Sequence, residues 1–353
     1  MSPQRALNIG PYAVGPGHPV FVIAEAGVNH NGDMDVARRL VDVAVEAGAQ
    51  AVKFQTLFAE RLVSADAPKA RYALETTDAQ ESQFEMIRKL ELGLEEHKLL
   101  QQYCRERGIL FMSSPFDDES IDLLDGLDVP AFKVPSGEVV NLPYLRRMAR
   151  KGRPIVLSTG MSTLAEVDEA LRVIREEEGN EQVVVLHCVS NYPASASSVN
   201  LRAMLTMREA LGVVTGFSDH TMGIEVPIAA AALGACVIEK HFTLDRNMPG
   251  PDHRASLEPD ELKEMVRAIR SVESALGDGV KRPVEEELNT KEVARKSLHA
   301  RRPLPEGHLI GPEDVIALRP GTGIPPSLTE VVVGRRLGQA VQAGQMLTWD
   351  MLR

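Results

Sequence analysis

Eight short apolar runs, each followed by a helix-patterned stretch, dominate the chain from residue 20 onward. They are VFVIAE, AVKFQ, ILFMS, AFKVP, PIVLST, VVVLH, VVTGF and CVIEKH. Continuous apolar runs of this length, rich in β-branched residues, read as strands buried on both faces. The stretches between them read as amphipathic helices. DVARRLVDVAVEAG is one; LAEVDEALRVIREEEG is another, with Leu164, Val167, Leu171 and Ile174 spaced for one apolar face. An open doubly wound sheet and a closed barrel both accept such alternation. Eight units within about 250 residues favour the (β/α)8 barrel, which keeps its chemistry where the strands end.

The strand ends are polar. Glu25, Lys53, Gln55, Ser114, Lys133, Ser136, Glu138, Ser158, Ser190, Ser218, Asp219, His220, Glu239, Lys240 and His241 all fall at or just beyond the apolar runs. Lys53 and Lys133 lie inside strands, so pleat alternation decides whether they point inward or snorkel outward. If inward, two cations with Ser114, Ser136, Ser158 and Ser190 suit a phosphate and a carboxylate together. A Schiff-base lysine is the rival use. His220 and His241 lie one βα unit apart, as adjacent strands require, and could share Mn2+, Fe2+ or Zn2+; otherwise one is a structural or general-base histidine. Glu25, Gln55, Glu138, Tyr192 and Asp252 could bind hydroxyls and amides, or serve as partners of the lysines. Arg319 precedes the Gly-rich turn of RPGTGIPP, which could present it rigidly or leave it in solvent.

Bulk properties narrow the class. A chain of 353 residues holds one large domain and a small one. Its net charge of −11 argues against nucleic acid and anionic membranes as partners, so an anionic substrate needs a local basic pocket. Cys104, Cys188 and Cys236 are odd in number and far apart, as expected of reduced, buried thiols. No signal-peptide pattern is present, and the apolar stretch from Ile224 to Ile238 is broken by Glu225 and Pro227. A soluble, cytoplasmic protein is expected. Residues 57 to 93 form a long insertion after the second strand, placed to cover the strand ends. After Gly279 the charged stretch KRPVEEELNTKEVARK reads as a linker, and a small β-rich domain follows.

The segments IAEAGVNHNGD, AVKFQT, SSPFDDESIDLL, FKVPSGE, LSTGMST, LHCVSNYP, GFSDHTMG, IEKHFTLDRNMPGPDH and RPGTGI run through nearly the whole chain. Together they resemble the sialic acid (nonulosonic acid) synthase family, with its C-terminal SAF (antifreeze-like) domain. The resemblance implies a (β/α)8 barrel over residues 1–280, a linker over 281–292 and a SAF domain over 293–353 that caps the partner's active site in a domain-swapped homodimer. It implies condensation of phosphoenolpyruvate with an N-acetylated aminosugar and water, with loss of phosphate by C–O cleavage. N-acetylmannosamine is the acceptor first implied, and a 2,4-diacetamido-2,4,6-trideoxyhexose the alternative. A divalent metal, Mn2+ or Mg2+, would sit on His220 and His241, with Glu25 as the catalytic proton-transfer group. Lys53, Ser114, Lys133, Ser136, Ser158, Ser190 and Ser218 would hold phosphoenolpyruvate. Gln55, Phe116, Glu138, Tyr192, Asp252 and Arg319 would face the sugar. A sugar- or ice-binding protein built on the small domain is the non-enzymatic rival. It would not need both an anion pocket and a histidine pair.

Overall fold

The computed structural model describes residues 6–78, 80–177 and 179–353. A hairpin comes first, β1 (Leu7–Ile9) and β2 (Tyr12–Val14). Eight strands follow: β3 (Phe21–Gly27), β4 (Ala51–Thr56), β5 (Leu110–Pro115), β6 (Phe132–Val134), β7 (Ile155–Ser158), β8 (Val183–Cys188), β9 (Val214–Asp219) and β10 (Val237–His241). They form one sheet in the order β5-β4-β3-β10-β9-β8-β7-β6, and the adjacent pairs are parallel. The two end strands, β5 and β6, also lie against each other, so the sheet curls into a nearly closed barrel. All eight runs expected as strands are strands of this barrel.

Pleat alternation divides each strand between two cores. Val22, Ala24, Val52, Phe54, Phe132, Leu157, Val185 and Ile238 face outward and bury against the surrounding helices. Phe21, Ile23, Ala51, Met112, Ala131, Val156, Val184, Leu186, Val214 and Val237 face the barrel axis, joined by Leu7, Ile9 and Val14 of the hairpin. The hairpin therefore plugs the N-terminal end of the barrel with apolar side chains. The inward rows continue at the other end as Glu25, Lys53, Ser114, Lys133, Ser158, Ser218, Glu239 and His241, each an even number of residues beyond its apolar predecessor. One periodicity thus builds both the core and the polar floor above it.

The helices start and stop where local chemistry allows. Thr163 and Glu166 form a reciprocal capping box at the start of Leu164–Glu176. Val167, Leu171 and Ile174 are buried as their spacing predicts, whereas Leu164, in the first turn, is exposed. The insertion at residues 57–93 is not a bare loop: Ala59–Leu62, Arg71–Thr76 and Gln83–Arg88 are short helices. No helix among the described residues is long and apolar enough to cross a membrane. The three cysteines are buried and free.

Three imidazoles inside the first unit link its stability to pH. Burial pushes His30 and His253 down to about 4, and burial also lowers His97. An unfolded histidine takes its proton near pH 6.5. Between about pH 6.5 and 4 the unfolded chain therefore binds more protons than the folded one, and stability falls as pH falls. Each shift to about 4 is worth about 3 kcal/mol once pH is below it. The urea midpoint should drop steadily from pH 7 to pH 4.5. A flat profile over that range contradicts this assignment.

The chain divides into two compact units, the first running to Gly277 and the second spanning Asp278–Arg353. The stretch read as a linker falls in the second unit and is partly ordered, with a 3-10 turn at Glu285–Glu287 and a helix at Leu288–Ala294. The second unit carries an antiparallel pair, β11 (Ser297–Ala300) and β12 (Val315–Leu318). Leu298, Ile310, Ile324, Leu337 and Leu347 centre its own apolar core.

Candidate active site

The C-terminal ends of the barrel strands surround a cavity of about 420 Å³. Its floor is built by β3, β4, β5, β6, β7, β9 and β10. Lys53, on β4, lies 2.7 Å from Glu25 Oε2 and 3.8 Å from Glu239 Oε2, and donates to Ser114 Oγ at 2.9 Å. Lys133, on β6, donates to Ser158 Oγ at 2.7 Å and lies 3.4 Å from Glu239 Oε1. Ser218 Oγ donates to Glu239 Oε1 at 2.9 Å. All of these residues are buried. Two lysines, two carboxylates and three hydroxyls thus form one connected network at the bottom of the cavity.

Burial tunes the network. It pushes the Glu25 carboxyl up to about 7, against the opposing pull of Lys53. Burial would also raise Glu239, but Lys133 and Lys53 outweigh it and hold that carboxyl low. Burial lowers Lys133, with Lys53 as a like charge beside it. Lys53 itself is raised, because Glu239 and Glu25 overcome its burial. Burial pushes Asp252 up to about 6.

The two histidines stand beside this floor. The rings of His220 and His241 are 5.5 Å apart. Tyr192 packs on both, at 4.1 Å from His220 and edge-on at 5.6 Å from His241. Burial pushes His220 down to about 4 and His241 well below its usual range, so both are neutral imidazoles near pH 7. His220 Nδ1 bonds the Val189 carbonyl at 2.6 Å, so Nδ1 carries the proton and Nε2 keeps its lone pair. His241 Nδ1 is buried without a hydrogen bond, 3.8 Å from Asp252 Oδ2. A neutral imidazole oriented by a backbone carbonyl, beside a second one with an idle nitrogen, fits a divalent cation. Among the described residues no group of three or more His, Cys, Asp or Glu forms a fuller metal site.

Fourteen of the expected residues line this one cavity: Glu25, Lys53, Gln55, Ser114, Phe116, Lys133, Ser136, Ser158, Ser190, Tyr192, Ser218, His220, His241 and Asp252. Ser190 lines it, whereas Asn191 is exposed and donates to the Pro193 carbonyl at 2.7 Å. Gly160 leaves room for this crowding: a Cβ there would sit 2.1 Å from Ser190 Oγ and 3.0 Å from Ser136 Oγ, so a side chain would displace the serine hydroxyls from their present positions. Its N–H donates to Ser136 Oγ at 2.9 Å. One expectation needs correction. Glu138 does not line the cavity; the tight turn Ser136–Glu138 points Ser136 inward and carries Glu138 away, where its carboxylate accepts from Asn141 at 2.7 Å. Arg319 lies in the second unit and is exposed.

Two contributions were missed by sequence reasoning. Glu239 binds both lysines, and its signal was present: in VIEKH, residues 237, 239 and 241 share one face and Lys240 the other. Lys240 indeed points away and pairs with Asp219 at 2.6 Å. The second is an apolar wall from the insertion, including Leu57, Leu62, Met86, Ile87 and Leu90.

Barrel, strand-end floor and histidine pair together define a (β/α)8 protein with a polar cavity at its strand ends, lined by two buried lysines. Residues 40–281 match the NeuB family and residues 295–353 the SAF domain. The chain is 47% identical over 353 residues to the N,N'-diacetyllegionaminic acid synthase of Legionella pneumophila, covering 99% of each chain. It is 38% identical to the human N-acetylneuraminate-9-phosphate synthase, covering 96% of this chain and 94% of that one. The crystal structure of an N-acetylneuraminic acid synthetase from Leptospira borgpetersenii superposes with a TM-score of 0.71 at 32% identity, over 81% of this chain and 95% of that one. The chain belongs to the NeuB family: it is an enzyme of the sialic acid synthase type, carrying a C-terminal SAF domain.

Proposed function

We propose that this cavity condenses phosphoenolpyruvate with the open-chain aldehyde of an acetylated amino sugar and water, releasing phosphate and a nine-carbon α-keto acid. The observation that carries the reading is the buried pair Lys53 and Lys133, each holding a serine hydroxyl, beside two neutral imidazoles. Two fixed, buried cations suit a substrate with both a phosphate and a carboxylate. The acceptor is a 2,4-diacetamido-2,4,6-trideoxyhexose rather than N-acetylmannosamine. The 47% identity across the full length to an N,N'-diacetyllegionaminic acid synthase, against 38% to an N-acetylneuraminate-9-phosphate synthase, supports that choice.

In this mechanism Lys53, Lys133, Ser114, Ser136, Ser158, Ser190 and Ser218 hold phosphoenolpyruvate with its methylene carbon toward the aldehyde. Gln55, Phe116, Tyr192 and Asp252 orient the sugar. The enol electrons form the new C–C bond, and the aldehyde oxygen takes up a proton. Water adds to the carbon bearing phosphate and gives up one proton; the hydroxyl so formed collapses to the keto group as the C–O bond to phosphate breaks, and phosphate leaves with that bond's electron pair while the second proton passes to it. Glu25, raised to about 7, can give or accept a proton in this sequence near neutral pH. A divalent cation, Mn2+ or Mg2+, held by His220 and His241 supplies Lewis-acid polarisation of the aldehyde when bound. Alignment of two substrates supplies much of the remaining acceleration. Arg319 is assigned to the acceptor's N-acetyl group, supplied by a second copy of the chain in a homodimer.

The test is product formation. Supplied with Mn2+, phosphoenolpyruvate and the diacetamido-trideoxy sugar, the protein should release one phosphate per keto acid formed. Efficient turnover with N-acetylmannosamine alone would move the assignment to that acceptor. Trapping of pyruvate on Lys53 or Lys133 by borohydride would replace the whole scheme with Schiff-base chemistry.

A further inference from the structure

The cavity has two chemically different halves. The floor and one side come from strand ends and are charged or hydroxylated. The other side is supplied by the insertion at residues 57–93. Among the described residues, every side chain it contributes except Gln83 is apolar: Leu57, Leu62, Ala70, Met86, Ile87 and Leu90.

This wall is built rather than draped. Leu57, Ile87 and Leu90 are buried in a small core of their own, against which Leu62 and Met86 pack. The insertion is tied at both ends of that core: Glu91 accepts from the Ala59 N–H at 2.7 Å. Ser82 and Glu85 close a capping box at the start of the helix Gln83–Arg88. The following residue, Lys89, presses its carbonyl onto Gly32, where a Cβ would sit 2.6 Å away at a φ of +77°. These ties hold Leu57, Leu62, Met86, Ile87 and Leu90 in place at the cavity.

Resting on the condensation proposed above, we propose that this wall, centred on Met86, selects the acceptor by the chemistry of its far carbons. The aldehyde end is fixed over the lysines and imidazoles at the strand ends, so an open-chain hexose must extend away from them toward the insertion. A terminal methyl and an acetamide methyl pack against Leu62, Met86 and Ile87. A hydroxymethyl group placed there gives up its water and finds, among the described side chains of the insertion, only Gln83 as a polar partner. An apolar pocket rejects an added hydroxyl by on the order of tenfold to a hundredfold. The wall thus favours deoxygenated, doubly acylated amino sugars over N-acetylmannosamine by that margin.

The experiment compares kcat/KM for the two sugars, with phosphoenolpyruvate and Mn2+, in the wild-type protein, Met86→Gln, Met86→Leu and Leu62→Gln. Met86 and Leu62 are half-buried, and glutamine is close in size to methionine. The expected result is a preference for the diacetamido-trideoxy sugar that Met86→Gln and Leu62→Gln cut at least fivefold and Met86→Leu preserves. The shift should fall in the sugar terms, with KM for phosphoenolpyruvate held. Turnover with an unchanged sugar ratio in both glutamine variants overturns the wall and leaves the condensation standing. No phosphate release with either sugar overturns the condensation and the wall with it.

Discussion

Lys53→Met should lose turnover by about a thousandfold and cost about 3–5 kcal/mol of stability. The two losses have one source. Lys53 is 2.7 Å from Glu25, 3.8 Å from Glu239 and 2.9 Å from Ser114. Without it, Glu25 loses the pull that opposes its burial and takes up a proton, and the buried Glu239 carboxylate keeps Lys133 but loses its second cation, which leaves part of its charge uncompensated. The same change removes half of the anion floor, so KM for phosphoenolpyruvate should rise as kcat falls. Urea unfolding and phosphate release on one preparation measure both. Adding Glu25→Gln to Lys53→Met should change stability by less than about 1 kcal/mol, because without Lys53 the Glu25 carboxyl is already neutral near pH 7, and should recover no activity. A Lys53→Met protein that is as stable and active as wild type contradicts the network described here.

His241→Ala should separate function from stability. Turnover should fall about a thousandfold if the imidazole pair holds the Lewis acid. Stability should change by less than about 1 kcal/mol, because the Nδ1 atom being removed is buried without a hydrogen bond. Mn2+ affinity, followed by titration calorimetry on the protein without substrate, should weaken in parallel. His220→Ala should lose turnover likewise but cost more stability, since its Nδ1 bond to the Val189 carbonyl at 2.6 Å disappears. Unchanged Mn2+ affinity in both variants contradicts the metal assignment.

The fold was legible because a strand buried on both faces must be apolar along most of its length. Eight such runs with helices between them leave few architectures. The floor was legible for a related reason: a charge inside an apolar run is expensive unless it is paired, so Lys53 and Lys133 stood out. Glu239 was obscured because three polar residues in a row, Glu239, Lys240 and His241, hide the pleat that sends the middle one outward. Glu138 was misplaced because a 3-10 turn spreads neighbours about 120° apart, so its closeness in sequence to Ser136 does not carry it into the cavity. The apolar wall was unreadable as such. The helices at 59–62, 71–76 and 83–88 are too short to show a periodicity, and their packing partners are set only by the folded insertion.

The account predicts a bond-specific outcome that one measurement can read. Phosphorus NMR in water enriched in oxygen-18, with phosphoenolpyruvate, Mn2+ and the diacetamido-trideoxy sugar, follows both the release of phosphate and the origin of its oxygens. Phosphate should appear only when the sugar is present, and it should carry no solvent oxygen, because the bond broken is C–O. Phosphate released without the sugar, or carrying solvent label, would contradict the central claim.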